Sequence, residues 1–394
     1  MIQSAPSSHR LHITFLGRCN SGKSSLINTL VAQQVSIVSD IAGTTTDLVT
    51  KPIELPKIGA TVIIDTPGLD DTSILGQQRS AQTLKAIDRT DIAVVLFSDG
   101  IISQTEQQII SELKARKIPY IGAITKCDIA QPTKAYIEQI KSLTGSQPIV
   151  ISATLGIGID LLLTQLSAFA HQPQHLITEG LCNAGDIVML VMPQDSQAPQ
   201  GRIIKPQVET LRELLDCHCI VICCSPENMP KALANLTTPP QLIITDSQVF
   251  PQVYMAKPEQ SALTSFSVLF ARQKGDISTF VNGAQAMMAL QPTARILIAE
   301  ACNHIPQHED IGRVKLPRLL RQKLGKEIDI DIVGGNDFPT DLTPYDLVIH
   351  CGACMFNRAH VMSRVNLAQK QQVPITNYGI AIAALTGILD KVSY

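Results

Sequence analysis

The octapeptide GRCNSGKS, residues 17 to 24, constrains this chain more than any other stretch of it. It fits the phosphate-loop pattern G-x-x-x-x-G-K-[ST] and stands between an apolar run, LHITFLG (11–17), and a helical run, KSSLINTLVAQ. Glycines let backbone N–H groups wrap a phosphate, and the start of the helix adds the positive end of its dipole. The runs ATVIIDTPG, DIAVVLFSD, PYIGAITKCD and QPIVISAT read as further strands, each ending in polar loop residues. Strands alternating with helices predict an α/β fold with a parallel sheet covered on both faces. Sites in such sheets lie at the C-terminal ends of strands, where every motif below falls.

The phosphate-binding set is Gly17, Asn20, Ser21, Gly22, Lys23, Ser24 and Ser25. Lys23 reaches the β- and γ-phosphates and Ser24 ligates Mg²⁺. DTPG (65–68) follows an apolar strand, which puts Asp65 near the metal and the Gly68 N–H near the γ-phosphate. AGTTTD (42–47) lies where the switch threonine belongs; by position Thr45 is the Mg²⁺ ligand, with Thr44 as the alternative. TKCD (125–128) and SAT (152–154) follow two more strands. A carboxylate at Asp128 accepts from both N1–H and N2 of guanine, which adenine cannot satisfy, so Asp128 selects GTP. Thr125 and Lys126 complete that loop, and Ser152 and Ala153 add a backbone contact to the base. Cys19 and Cys127 read as fillers of variable loop positions. Lys23, Thr45, Asp65 and Gly68 form the expected hydrolytic centre, with GTP and GDP as ligands.

These residues resemble the GTPases of the Era and TrmE branch over about residues 10 to 170. In relatives with an asparagine at the place of Asn20, it helps hold a K⁺ ion that substitutes for an arginine finger. The resemblance therefore implies slow, K⁺-stimulated hydrolysis. Leu69 stands where Ras-like switches carry the glutamine that orients water, Thr125 replaces the usual asparagine, and Thr46 replaces an arginine of the TrmE branch.

With 394 residues there is room for three domains: a GTPase domain at 1–172, a middle α/β domain at 178–258 and a C-terminal α/β parallel-sheet domain at 264–394. The polar AHQPQHLIT (170–178) and MAKPEQSALT (255–264) read as linkers. A hydrophobic content of 45% with 17% charged residues describes a soluble globular protein. The net charge of −2 gives no footprint for nucleic acid. No apolar run is long enough to span a bilayer, and MIQSAPSSHR lacks the apolar core of a signal peptide. A cytoplasmic location is expected, and ten cysteines in a reducing compartment point to metal or catalysis before disulfides.

CNH (302–304) stands just past the strand ARILIAEA, and HCGAC (350–354) just past the strand YDLVIHC. If both strands lie in one parallel sheet, the two loops leave the same edge, and Cys302, Cys351 and Cys354 meet, with His304 and His350 close by. Cys354 would also begin the helix 355–371, whose dipole lowers a thiolate pKa. A Cys₃His zinc site, a dithiol of Cys351 and Cys354, and buried thiols without metal remain alternatives. A 4Fe–4S cluster on three thiolates with one weak ligand fits the count best, the fourth ligand being His350, His304 or Glu309. Glu309 and Asp310 serve equally as a cap for DIGRVKLPRLL. CHCIVICC (217–224) reads differently, as a buried strand whose cysteines act as small hydrophobes.

A TrmE-like GTPase joined to C-x-H…H-C-x-x-C resembles the FeFe-hydrogenase maturation GTPases over essentially the full length. That resemblance implies GTPase, dimerisation and iron–sulfur domains in a homodimer. It also implies a scaffold that receives a diiron precursor from radical-SAM maturases and delivers it to apo FeFe-hydrogenase, without nucleic acid or membrane as partner. The other reading is a ribosome-assembly or tRNA-modification GTPase with a structural zinc; the near-neutral charge weighs against RNA work.

Overall fold

The computed structural model describes residues 10–32, 49–67, 82–170, 176–193, 204–300, 311–335, 337–353 and 356–394. It contains three α/β sheets. The first has six strands: β1 (Leu11–Gly17), β2 (Val49–Leu55), β3 (Gly59–Asp65), β4 (Ile92–Phe97), β5 (Tyr120–Ile124) and β6 (Ile149–Val150). Their order is β2-β3-β1-β4-β5-β6, and all pairings are parallel except β2 with β3.

Strand β4 shows why this sheet is buried on both faces. Ile92, Val94 and Leu96 join one apolar cluster with the helices Lys23–Ala32 and Ile159–Ala170. Ala93, Val95 and Phe97 join another with Gln104–Ala115 and Lys134–Thr144. Successive side chains of a strand point to opposite faces, so a continuous apolar run fills two cores at once. Each fully buried Val, Leu, Ile or Phe side chain contributes about 1.5–3 kcal/mol relative to exposure. Strand β2 was not expected from the sequence. Its Pro52 is tolerated because β2 is an edge strand with no ladder partner on its far side.

The second sheet runs β10-β9-β7-β8, all parallel, from β7 (Ile187–Val191), β8 (Ile220–Cys224), β9 (Leu242–Thr245) and β10 (Ala262–Ser265). The helices Lys205–Asp216 and Phe266–Lys274 contribute Leu214, Phe266, Leu269 and Phe270 to its core. Two expectations are corrected here. The stretch 255–264 is not a linker, because β10 pairs with β9 and closes this sheet. Nor is CIVICC a buried strand: β8 is an edge, with Ile220 56% exposed and Cys223 exposed.

The third sheet runs β12-β11-β13-β14, again all parallel, from β11 (Arg295–Ala299), β12 (Asp329–Val333), β13 (Leu347–His350) and β14 (Ile375–Asn377). The helix Ile277–Met288 lies against β14 so closely that a Cβ on Gly283 would come within 2.0 Å of the Ile375 carbonyl oxygen. Only glycine fits such an approach of backbone to backbone. Strands β11 and β13 are neighbours, with Ala299 aligned to His350. The condition that the sequence set for bringing the two cysteine loops to one edge therefore holds for the strands that precede them. The helix expected over 355–371 begins at Arg358 and ends at Lys370.

Among the described residues, no helix is long and apolar enough to cross a membrane.

Candidate functional site

At the end of β1 the chain turns through Asn20, at φ +57°, and Gly22, at φ +88°, into the helix Lys23–Ala32. The second of these conformations strains any residue with a side chain. Lys23 is buried, and its ammonium donates to the carbonyls of Gly17, at 3.0 Å, and Arg18, at 2.6 Å. Ser24 Oγ donates to Asp65 Oδ2 at 3.2 Å, while Asp65 Oδ1 is buried without a hydrogen-bond partner among the described residues. A hydroxyl and a carboxylate in contact, with one carboxylate oxygen left over, fit Mg²⁺ as the third member. Ser25 and Asn20 are exposed beside this loop, and Ser21 is fully buried beneath it.

The base loop is tied to the phosphate loop by one side chain. Thr125 Oγ1 donates to the Ser21 carbonyl at 2.7 Å, with the Phe97 carbonyl a longer 3.3 Å away. Threonine thus performs the bridging that its position requires. Asp128 Oδ2 accepts from Thr154 Oγ1 at 2.9 Å, and Thr154 in turn contacts Ser152 Oγ at 2.9 Å. The hydroxyls of Ser152 and Thr154 hold the Asp128 carboxyl below its ordinary pKa, so it stays an acceptor. The Ala153 carbonyl accepts from Thr29 Oγ1 at 3.0 Å, which anchors the SAT loop to the first helix. Lys126, at φ +60°, lies 3.6 Å from Asp99. Cys127 is buried and its thiol pKa is raised, as a filler's would be; Cys19 is exposed.

The sequence reading missed Arg18 and Glu106. Arg18 Nε donates to Glu106 Oε1 at 2.6 Å, and Arg18 Nη2 to the Ser98 carbonyl at 2.8 Å. Glu106 is fully buried and also accepts from the Ser103 backbone N–H at 2.7 Å. This pair clamps the phosphate loop to the segment after β4. The partners lie 88 positions apart, so no local pattern shows them. Thr44, Thr45 and Gly68 lie outside the described residues.

At the edge of the third sheet, the Cys351 N–H donates to the Ala299 carbonyl at 2.9 Å, and the Ala353 N–H reaches Cys351 Sγ at 3.4 Å. His350 is 1% exposed. Its Nε2 stands 3.0 Å from Arg364 Nη1, and its Nδ1 stands 2.7 Å from the Cys351 carbonyl. A guanidinium only donates, so Nε2 accepts and Nδ1 carries the proton. Burial, reinforced by Arg364, pushes the His350 pKa down to about 3 and keeps the ring neutral. Both ring nitrogens are therefore engaged within the protein. Cys302, His304, Glu309 and Cys354 lie outside the described residues, and no metal-binding group of three or more His, Cys, Asp or Glu occurs among the described ones.

In the second sheet's core, Cys219 Sγ is 3.8 Å from Cys182 Sγ, and burial pushes the Cys219 thiol up to about 12. Cys217 packs in the same apolar cluster, so Cys217 and Cys219 behave as the small hydrophobes expected of them, whereas Cys223 is exposed.

The phosphate loop and the base loop, standing at strand ends of one sheet, have the arrangement of a P-loop GTPase domain. Residues 12–126 accordingly match the family described as 50S ribosome-binding GTPase. Residues 177–275 match the Hydrogen maturase F dimerization domain, and residues 278–393 match the Hydrogen maturase F tetramerization domain. The chain belongs to the hydrogen maturase F family.

Among curated relatives, the tRNA modification GTPase MnmE of Nitrosomonas europaea is 34% identical over 173 residues, which is 43% of this chain and 37% of that protein. GTPase Der of Kosmotoga olearia is 30% identical over 185 residues, or 44% and 42% of the two chains. This chain thus spans about two fifths of the length of those relatives. Similar solved structures include Era in complex with MgGDPNP and nucleotides 1506–1542 of 16S ribosomal RNA. That match has a TM-score of 0.36 and 19% identity, and covers 55% of this chain and 93% of that one. The G domain of the T. maritima FeoB iron transporter matches with a TM-score of 0.32 and 22% identity, over 41% and 100%.

Proposed function

We propose that this chain is a GTP-hydrolysing scaffold that holds a 4Fe–4S cluster on Cys302, Cys351 and Cys354. In this reading it carries a diiron precursor received from radical-SAM maturases and passes that cargo to apo FeFe-hydrogenase. One observation carries the cluster part: β11 and β13 are adjacent and parallel, with the Cys351 N–H on the Ala299 carbonyl, so both strands end at one sheet edge. Cys351 itself suits a cluster, because its sulfur accepts a backbone N–H, as cluster sulfurs do. When bound, a cluster with three firm thiolates and one labile position offers an iron open to a bridging ligand of the cargo.

His350 is the weakest of the three fourth-ligand alternatives, since both its nitrogens have partners. His304 and Glu309 are the stronger. On the GTPase side, Lys23, Thr45, Asp65 and Gly68 act on the γ-phosphate, Ser24 and Thr45 hold Mg²⁺, and Asn20 shares in a K⁺ site that speeds an otherwise slow hydrolysis. Equal turnover in Na⁺ and K⁺ buffers would remove the K⁺ site.

Dimerisation runs through β8, an edge strand without a charged residue, whose Ile220 is exposed. Two copies related by a two-fold axis would pair this edge antiparallel. The match to a tetramerization domain adds a further level of assembly that the sequence reading had not included. The reading as a ribosome-assembly or tRNA-modification GTPase with structural zinc is disfavoured by the two Hydrogen maturase F matches.

The test is delivery. Protein reconstituted anaerobically and loaded by the maturases should activate apo FeFe-hydrogenase, and Cys351→Ala should not. Hydrogenase activation equal for the two proteins overturns the scaffold reading.

A further inference from the structure

We propose that Lys274 is the positioning residue of the loop 351–353 and the fixed positive charge of the site it forms. The proposal rests on the cluster reading above. Lys274 ends the helix Phe266–Lys274, which covers the second sheet, whereas the loop follows β13 of the third. Its ammonium, only 6% exposed, donates to the Ala353 carbonyl at 2.8 Å.

Ala353 is buried and sits at φ +51°, in the left-handed region. That conformation costs a non-glycine residue roughly 1–2 kcal/mol and persists only where its surroundings enforce it. Here the enforcement acts on both ends of the residue. Its carbonyl is held by Lys274 and its N–H faces Cys351 Sγ at 3.4 Å. The carbonyl lies in the peptide after Ala353 and the N–H in the peptide before it, so Lys274 fixes the residue between them and, through it, the turn in which the N–H meets sulfur.

A second buried cation contacts the residue that precedes the loop. Arg364, 4% exposed, donates to His350 and to the Gly335 carbonyl, with its guanidinium 4.6 Å from the centre of the Phe338 ring. Buried cations are stabilised by nearby negative charge, and three thiolates on a 4Fe–4S core carry a net negative charge. The same field favours the reduced, more negative cluster over the oxidised one. Lys274 therefore both shapes the loop and raises the reduction potential of what it holds.

The experiment compares wild type, Lys274→Met, Lys274→Gln and Lys274→Arg, each reconstituted anaerobically with iron and sulfide. Readouts are the midpoint potential from an EPR-monitored redox titration and the rate of cluster loss to a chelator. Lys274→Met should show a more negative potential and lose its cluster about 10–100-fold faster, the usual effect of removing a partner that supports a metal ligand. Lys274→Gln, which keeps an N–H donor but loses the charge, should keep more of the chelator resistance than Lys274→Met but still show the lowered potential. Lys274→Arg should restore both. A Lys274→Gln potential equal to wild type overturns the proposal, even if Lys274→Met fails to fold. So does a Lys274→Arg protein no better than Lys274→Met. Wild type that takes up no iron overturns the cluster reading beneath it, a result distinct from either.

Discussion

Thr125→Val removes one hydroxyl and almost no volume, and it tests whether the base loop and the phosphate loop are held as one unit. The hydroxyl donates to the Ser21 carbonyl at 2.7 Å, from a threonine that is 7% exposed. A hydrogen bond of this kind contributes a net ~0.5–1.5 kcal/mol, and leaving its buried acceptor unsatisfied raises the loss to ~1–3 kcal/mol. Nucleotide binding needs both loops in register, because one grips the phosphates and the other the base. The part of the loss that appears in binding, about 1–2 kcal/mol, weakens GDP affinity about 5- to 30-fold. Titration with a fluorescent GDP analogue measures it, with Thr125→Ser as the control that keeps the hydroxyl and should stay near wild type. Thr125→Val affinity within twofold of wild type would refute the coupling. Equal weakening in Thr125→Ser would assign the effect to side-chain shape instead of the bond.

Arg18→Met strands the buried Glu106 carboxylate, and breaking such a pair costs about 3–5 kcal/mol, which urea denaturation of the GTPase-domain transition should register. Gly22→Ala forces a side chain into φ +88° and should cost roughly 1–3 kcal/mol at the phosphate loop, read as weaker GDP binding with the overall fold kept by circular dichroism. In Ile220→Asp, a charge placed on the exposed edge of β8 should shift the assembly towards smaller species by light scattering, and an unchanged mass would exclude that edge from the interface. Thiol labelling at pH 8 should be slow at Cys219: burial pushes its pKa from 9.0 to about 12, so its thiolate fraction is about a thousandfold lower than an ordinary thiol's. Peptide mapping should find exposed Cys19 modified long before it.

The parts of this fold that the sequence displayed most clearly are those whose physics is local. The phosphate loop, DTPG, TKCD and SAT are each a contiguous phrase at the end of an apolar run, and their order along the chain is enough to name the ligand. The four C-terminal strands were equally visible, and so was the possibility that two of them share an edge. What escaped was set by context. Strand β2 hides behind Lys51, Pro52 and Glu54, a composition that only an edge strand tolerates. Strand β10 is four residues long and follows Pro258, so it read as linker. β8 looked buried because its residues are apolar, yet its edge position leaves Ile220 exposed. The contacts that shape the sites join residues far apart: Arg18 with Glu106, Thr125 with Ser21, Lys274 with Ala353. Such pairs belong to the tertiary fold, and no spacing rule anticipates them.

The proposed function stands or falls on whether Cys302, Cys351 and Cys354 hold an iron–sulfur cluster. Iron and sulfide analysis of anaerobically reconstituted protein, combined with EPR of the reduced state, tests it most directly. The reconstituted protein should be brown, with the iron and sulfide of one 4Fe–4S cluster per chain and a reduced-cluster EPR signal, both lost in Cys351→Ala. A colourless protein that retains zinc, or iron uptake unchanged in Cys351→Ala, would contradict it.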